Sequence, residues 1–292
     1  MIHRGRFAPS PTGPLHFGSL VAAVGSYLQA KSSQGQWLIR IEDIDVPRCV
    51  PGAADSILRS LEWLGFEWDE PVLYQSQRRD AYEQALQQLC EIQLCYPCSC
   101  TRSELQEALG PHHDGDELRY PGWCRINPRR VQESYAWRFR VPEGPVEFFD
   151  GVHGTQGLNL ADSIGDFVVK RRDDLFAYQL AVVVDDAAQN ITEVVRGSDL
   201  LSNTPRQIAL QHALQLTTPN YVHLPLVLDS QGKKLSKSNS APELAGQTPS
   251  QQLWQALSFL RQSPPLELQN SPITDVWYWA QSNWQLQPLI LS

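Results

Sequence analysis

Two stretches more than two hundred residues apart constrain this chain more than anything else in it. The first, Arg6-Phe7-Ala8-Pro9-Ser10-Pro11-Thr12-Gly13-Pro14-Leu15-His16-Phe17-Gly18-Ser19, leads from a short strand through a Gly/Pro-bent loop into an apolar helix from Leu20 to Ala30. A turn of this kind aims backbone N–H groups and the helix N-terminus at a bound phosphate. The second, Lys234-Leu235-Ser236-Lys237-Ser238, offers ammonium groups to the same phosphates. Either stretch alone would be an ordinary turn, but the two in this order point to one nucleotide site.

Around them, strand and helix signals alternate. Residues 1–95 read as the first half of a nucleotide-binding parallel sheet: a strand from Gly5 to Ala8, a helix to Ser32, a strand from Trp37 to Ile41 and a helix ending near Leu64-Gly65. A second βα set occupies 161–240, at Phe167 to Lys170, Phe176 to Val184, Ile191 to Val195, the helix Pro205 to Gln215, and Val222 to Leu228. Between them, 96–160 is rich in Cys, Pro and Arg and reads as an insertion that splits the fold. The tail, 241–292, reads as a small helical region docked on the core. Thr248 suits an N-cap and Pro249 the first helical position, Leu253, Trp254, Leu257 and Leu260 form one stripe, and Ser271-Pro272 opens a second helix in the same way. A chain of 292 residues accommodates a sizeable α/β core with small appendages, but not several large domains.

The formal charge of −8 argues against nucleic-acid binding driven by overall charge. Local basic clusters at Arg125, Arg129, Arg130, Arg138 and Arg140, and at Lys170, Arg171 and Arg172, are candidates for phosphate contacts or simply a solvated face. No apolar run is long enough to span a membrane and no signal-peptide pattern is present, so a cytoplasmic protein without a membrane partner is expected. The six cysteines are accordingly not read as three disulfides.

The paired motifs resemble the signatures of class I aminoacyl-tRNA synthetases, which read roughly His-Ile-Gly-His and Lys-Met-Ser-Lys-Ser, and the context of the first resembles the glutamyl branch. That resemblance implies a Rossmann-type class I catalytic core, ATP as substrate accompanied by Mg²⁺, and L-glutamate as the amino acid. It implies that His16 donates to the phosphates, Gly18 lets the backbone approach the nucleotide, and Lys237 neutralises the leaving pyrophosphate with Lys234 in support. Pro9 and Ser19 would flank ATP. Two positions depart from the pattern: Ser19 stands for a His and costs one imidazole donor, and Leu235 conservatively replaces Met.

Glu42-Asp43-Ile44-Asp45 followed by Arg48 resembles the Arg-Ile-Glu-Asp-x-Asp-x-x-Arg run of glutamyl and glutaminyl synthetases. At the carboxyl end of a strand, Glu42 faces a ligand cleft, and the resemblance gives it the substrate ammonium; Asp43 and Asp45 read as local caps or ion pairs. Glutamate's two carboxylates need buried cations, preferably guanidinium forks, and Arg6 and Arg196 fit. Which of them takes the side-chain carboxylate is open, with Arg6 the first choice. Tyr178 matches a family tyrosine that hydrogen-bonds the substrate, and Ser10 and the Ala8 backbone complete the pocket. Val182 stands where ordinary glutamyl synthetases tend to carry Asn, so one polar contact is missing.

Cys98-Ser99-Cys100, Tyr120 and Cys124 place three thiols and a phenol in the insertion. Chemistry alone would take His112 or His113 as the fourth ligand of a structural Zn²⁺ site, or leave the cysteines reduced and buried. The short glutamyl-type paralogues with this layout bind zinc through Cys, Cys, Tyr and Cys, which implies Cys98, Cys100, Tyr120 and Cys124 here; Cys49, Cys90 and Cys95 read as core. Those paralogues also account for a missing part. About 54 residues follow Ser238, too few for a helical anticodon-binding domain. The paralogues transfer glutamate to the queuosine base at the anticodon wobble position of tRNA(Asp), so the resemblance implies that this anticodon loop is the partner, and a monomer is expected. Three alternatives stay open: a minimal glutamyl-tRNA synthetase charging the 3′ end of tRNA(Glu), a nucleotidyltransferase sharing the His-x-Gly loop, and a catalytically silent tRNA-binding paralogue. Glu42, Arg6 and Arg196 oppose the second, and His16, Gly18, Lys234 and Lys237 oppose the third.

Overall fold

The first strand, β1 (Arg4–Phe7), is short because Pro9 and Pro11 follow it and neither can donate to a ladder. The structure, a computed structural model, describes residues 2–109, 118–127, 134–227 and 246–290. After the proline loop, α1 (Phe17–Ser32) starts at His16, whose ring accepts the Ser19 amide as an N-cap. The helix is buried on most of its circumference, since it lies between the sheet and the C-terminal helices. Gly25 is required there: a Cβ on it would sit 2.5 Å from Leu224 Cδ1.

In chain order there follow β2 (Gln36–Ile41), α2 (Ala53–Trp63), β3 (Leu73–Tyr74), α3 (Arg79–Glu91), β4 (Cys95–Cys98), α4 (Arg102–Leu109), β5 (Ala136–Phe139), β6 (Pro145–Asp150), β7 (Gly154–Asn159), α5 (Leu160–Ser163) and β8 (Phe167–Lys170). The second half holds α6 (Tyr178–Ala188), β9 (Glu193–Gly197), α7 (Thr204–Ala213), β10 (Asn220–Leu224), α8 (Pro249–Phe259) and α9 (Ile273–Asn283). Phe176 to Val184, grouped with the second βα set, is thus largely helical.

Strands β1, β2 and β3 form one parallel ladder, with Arg6 opposite Leu38 and Ile41 opposite Tyr74. A second sheet has the order β7-β6-β10-β9, its inner pairs parallel and β6–β7 an antiparallel hairpin. The two meet where β9 lies against β1: the Thr192 amide donates to the Arg4 carbonyl at 3.0 Å, and the Arg4 amide donates to Thr192 Oγ1 at 2.8 Å. The strand order therefore reverses between β1 and β9, the position at which open α/β sheets bind ligands beyond the strands' carboxyl ends.

The third sheet, β4-β5-β8, is antiparallel. The expected division at residue 160 does not follow the sheets. Strand β8 pairs with β5, while the β6–β7 hairpin joins the ladder of β9 and β10. Local composition marks where the Cys-rich segment begins, but strand pairing is non-local and crosses that division in both directions.

The main core gathers α1, β1 and β2 with Leu253, Ala256, Leu257, Leu260, Val276, Trp277 and Ala280 of the tail. Tyr27, Trp37, Phe66 and Trp277 form an aromatic knot with ring centroids 4.7–5.4 Å apart along its contacts. Helix α8 starts with a capping box between Thr248 and Gln251 and has Pro249 in its first turn. Trp254 is only half-buried and donates to the Pro265 carbonyl at 2.9 Å.

Candidate functional site

At the β1/β9 reversal lies a cleft of about 490 Å³, walled by the proline loop, the start of α1 and the ends of β1, β2 and β9. Arg6, Ala8, Pro9, Ser10, His16, Gly18, Ser19, Glu42, Tyr178 and Arg196 all line it. Lys234 and Lys237 lie outside the described residues. The loop is tied to the second strand, since the Glu42 amide donates to the Pro9 carbonyl at 3.0 Å. His16 faces its own helix: its Nδ1 accepts the Ser19 amide at 3.3 Å, and its Nε2 is 2.9 Å from Ser19 Oγ. The Ser19 hydroxyl thus engages the imidazole that heads the cleft.

Deeper in, the charges form a network. Arg6 is buried and forks onto Asp186 of α6, Nε to Oδ1 at 3.0 Å and Nη2 to Oδ2 at 3.3 Å. Arg40, fully buried, donates from Nη2 to the same Oδ1 at 2.7 Å and from Nη1 to Gln189 at 2.8 Å. Its Nη2 also lies 3.8 Å from Glu42. Burial pushes the Glu42 carboxyl up to about 7; Arg40 and Arg6 pull it down, and Asp186 and Asp185 push it further up. Asp186 moves the other way: burial alone would raise it, but the two arginines hold it below the usual carboxylate range.

Arg196 is held differently. Its Nε donates to His223 Nε2 at 3.1 Å and its Nη2 to Thr204 Oγ1 at 2.9 Å, while Nη1 faces the Tyr178 hydroxyl at 3.4 Å. No carboxylate pairs with it among the described residues. Arg6, the first choice for the substrate side chain, is already paired with Asp186, which Arg40 shares. Arg196 touches no carboxylate directly among the described residues, and Asp150 reaches it only through His223.

The Cys-rich segment brings Cys98, Cys100 and Cys124 together, with all three sulfurs within 4.8 Å of one another. Tyr120 Oη is 3.3 Å from Cys98 Sγ and 3.7 Å from Cys100 Sγ, and it accepts the Cys124 amide at 2.9 Å. Gly165, at φ +66°, makes room for this: a Cβ there would lie 2.2 Å from the Tyr120 carbonyl. Arg138 donates to Cys98 Sγ at 3.2 Å, and its guanidinium lies 3.8 Å from the Tyr120 ring centroid. Burial, with Cys124, Cys98 and their like charge outweighing the Tyr120 hydroxyl, pushes the Cys100 thiol up to about 12. Four soft or anionic donors converging in this way fit a tetrahedral Zn²⁺. His112 and His113 lie outside the described residues.

Residues 3–247 match the family model described as class I tRNA synthetases (E and Q), catalytic domain. The chain belongs to this family. A protein named glutamyl-Q tRNA(Asp) synthetase from Dechloromonas aromatica is 51% identical over 97% of this chain and 94% of its own length. A protein of the same name from Geobacter sulfurreducens is 54% identical over 96% and 91%. Among solved structures, a glutamate tRNA ligase from Elizabethkingia meningosepticum in complex with its amino acid superposes with a TM-score of 0.82 at 26% identity. All of this chain is covered in that match, but only 66% of the ligase.

Within this class I synthetase fold, several residues that shape the cleft had no role assigned from sequence. Asp150 and His223 carry no motif; Arg40 opens the Arg-Ile-Glu-Asp run, and Asp186 is signalled by two adjacent acids, Asp185-Asp186, in an otherwise apolar helix, which must find cations if buried. Val182 is buried within an apolar cluster that also holds Phe139, Leu180 and Leu210. Asp43 accepts the Ser76 amide and hydroxyl at 2.8 and 2.7 Å, and Asp45 pairs with Arg48 at 3.6 Å and with Arg171 at 3.5 Å, so both tie the loop after β2 to other segments. The basic clusters are also internally engaged: Arg125 with Asp166, Lys170 with Glu83, Arg171 with Asp173, and Arg172 with the Ser99 carbonyl. Arg129 and Arg130 lie outside the described residues.

Proposed function

We propose that this chain is an ATP-dependent ligase that activates L-glutamate as glutamyl-adenylate and transfers it to the queuosine base at the wobble position of the tRNA(Asp) anticodon. The observation that carries the reading is the pairing of groups in one cleft: Arg196 lines it beside the Tyr178 hydroxyl with no carboxylate in direct contact among the described residues, and Glu42 lines it too, a cation and an anion suited to glutamate's carboxylate and ammonium. Relatives near 50% identity bearing the name glutamyl-Q tRNA(Asp) synthetase supply the acceptor.

In this reading Glu42, ionised, takes the substrate ammonium. Arg196 takes the side-chain carboxylate with the Tyr178 hydroxyl beside it, and Arg6, anchored by Asp186, lies toward the α-carboxylate. Ser10 and the Ala8 backbone close the pocket. The α-carboxylate oxygen attacks the α-phosphorus of ATP, the bond to the bridging oxygen breaks, and pyrophosphate leaves. A queuosine hydroxyl then attacks the carbonyl carbon of the adenylate, losing its proton as AMP departs. The protein's contribution is positioning and charge stabilisation, from Pro9, His16, Gly18, Ser19 and the α1 N-terminus, with Lys234 and Lys237 completing the phosphate site and Mg²⁺ arriving with ATP. Structural Zn²⁺ on Cys98, Cys100, Tyr120 and Cys124 would fix the Cys-rich insertion that opens after residue 95 and shares its sheet with β8, while the β6–β7 hairpin belongs with the second catalytic half and 241–292 is a docked helical region. A cytoplasmic monomer accords with this role, and no described helix is long and apolar enough to cross a membrane.

The test is transfer of labelled glutamate, with ATP and Mg²⁺, to queuosine-containing tRNA(Asp), to the same tRNA without queuosine, and to tRNA(Glu). Label on the first alone is the expected result. Label on tRNA(Glu) would instead identify a minimal conventional synthetase, the reading favoured by the structural likeness to glutamate tRNA ligases.

A further inference from the structure

Three adjacent strands set a carboxylate, an imidazole and a guanidinium in a row beneath the cleft. In the β9–β10 ladder His223 is the register partner of Arg196, and in the β10–β6 ladder Tyr221 is opposite Asp150. His223 and Asp150 are fully buried. Asp150 Oδ1 accepts the amides of Val152 and His153, each at 3.0 Å, and Oδ2 is 2.6 Å from His223 Nδ1. On the far side of the ring, Nε2 receives Arg196 Nε at 3.1 Å and lies 3.2 Å from Thr204 Oγ1.

The proton on this ring has only one place to be. An ionised carboxylate can only accept, so Nδ1 carries the hydrogen; a guanidinium can only donate, so Nε2 must offer its lone pair. Burial, helped by Arg196 and His153 against the pull of Asp150, holds His223 below the usual imidazole range, which keeps the ring neutral.

We infer that Asp150 and His223 are positioning residues for glutamate: Asp150 fixes the His223 tautomer, and that tautomer aims the Arg196 fork into the cleft. The inference rests on the reading that Arg196 holds a glutamate carboxylate. It also gives the β6–β7 hairpin a role, since that hairpin delivers Asp150 to the site from outside the motif-bearing segments.

Asp150→Asn is the decisive variant. Its amide oxygen must stay with the Val152 and His153 N–H groups, so its NH₂ faces Nδ1. The ring proton then moves to Nε2 and meets the Arg196 N–H head-on. His223→Gln, although a larger change of shape, keeps a donor for Asp150 and an acceptor for Arg196. Glutamate-dependent exchange of pyrophosphate into ATP, with KM measured separately for glutamate and ATP, reads the difference.

For Asp150→Asn we expect KM for glutamate to rise about tenfold or more, with KM for ATP within about twofold; for His223→Gln both stay within about threefold. A merely structural role predicts the reverse ranking, with the near-isosteric Asp150→Asn the milder. An unchanged glutamate KM in Asp150→Asn, a parallel rise in both KM values, or equal damage from His223→Gln overturns the inference. Should Asp150→Asn not fold, His223→Ala against His223→Gln carries the same test, with equal glutamate KM values the overturning result. Wild-type protein without glutamate-dependent exchange would defeat the proposed function itself, before any variant is compared.

Discussion

The cleft and the thiol cluster solve opposite problems. In the cleft, groups of opposite sign are interleaved: Asp186 sits between Arg6 and Arg40, and Glu42 lies beside Arg40. Arg6 and Arg40 have a carboxylate partner before any ligand arrives, whereas the side chains that Arg196 touches directly are neutral. In the cluster, like groups are crowded: three sulfurs and a phenol oxygen share a few ångströms with one guanidinium at the edge. The first arrangement is preorganised, and on the proposed reading it leaves Arg196 to meet a substrate carboxylate. On the same reading the second is completed by a cation at its centre, a fastening separate from the recognition site.

Breaking the Arg196 contact has the largest expected effect. Arg196→Ala removes the cleft guanidinium that touches no carboxylate among the described residues, and takes away the donor that faces His223 Nε2 and Tyr178. We expect kcat/KM for glutamate to fall about thousandfold, on the order of 4 kcal/mol, with KM for ATP little changed. Pyrophosphate exchange measures both. A loss shared equally between the two substrates would mean that the arginine holds the fold rather than the amino acid.

Breaking the cluster tests the other half of the contrast. Cys98→Ser removes a central sulfur, and we expect zinc content, read by elemental analysis, to fall from about one per chain to near zero, and the melting temperature to drop by roughly 5 °C or more. Glutamate activation should persist at temperatures where the variant is folded. Tyr120→Phe is gentler, costing one oxygen ligand and the acceptor for the Cys124 amide. Zinc affinity, measured by chelator competition, should weaken by about 10–100-fold. Unchanged affinity would take Tyr120 out of the ligand set.

The contrast also explains what could be read from the sequence. Arg6, Ser10, Glu42 and Arg196 occupy strand ends and loop positions inside recognisable motifs, Tyr178 begins α6, and all five line one cleft. Their supports could not be read this way. Asp150 and His223 are 73 residues apart, joined only because β6 and β10 are neighbours, and no local periodicity encodes that pairing. Arg40 opens the Arg-Ile-Glu-Asp run, but its partner Asp186, on a helix far along the chain, is set by packing that the run does not encode. The same non-locality moved β8 and the β6–β7 hairpin across the expected division at 160. Helix ends were legible because their chemistry is local: Thr248 and Pro249 start α8 where the sequence indicates.

The smallest expected effect concerns Glu42, where recognition and stability pull apart. In the empty cleft burial raises its carboxyl to about 7, so near pH 6 it is mostly protonated and must lose that proton to hold an ammonium. KM for glutamate should therefore be flat above about pH 7.5 and rise by about tenfold per unit well below 7. Glu42→Gln should raise KM throughout and abolish the slope. For stability the sign is opposite. A carboxyl whose folded pKa exceeds its unfolded value costs stability when ionised, a penalty present above pH 7 and relieved as pH falls through 7 toward the unfolded value. Glu42→Gln should thus melt higher than wild type at pH 8, and that gain should vanish by about pH 5. A variant that loses glutamate affinity without gaining stability at pH 8 would show that Arg40 and Arg6 already compensate Glu42 in the free protein.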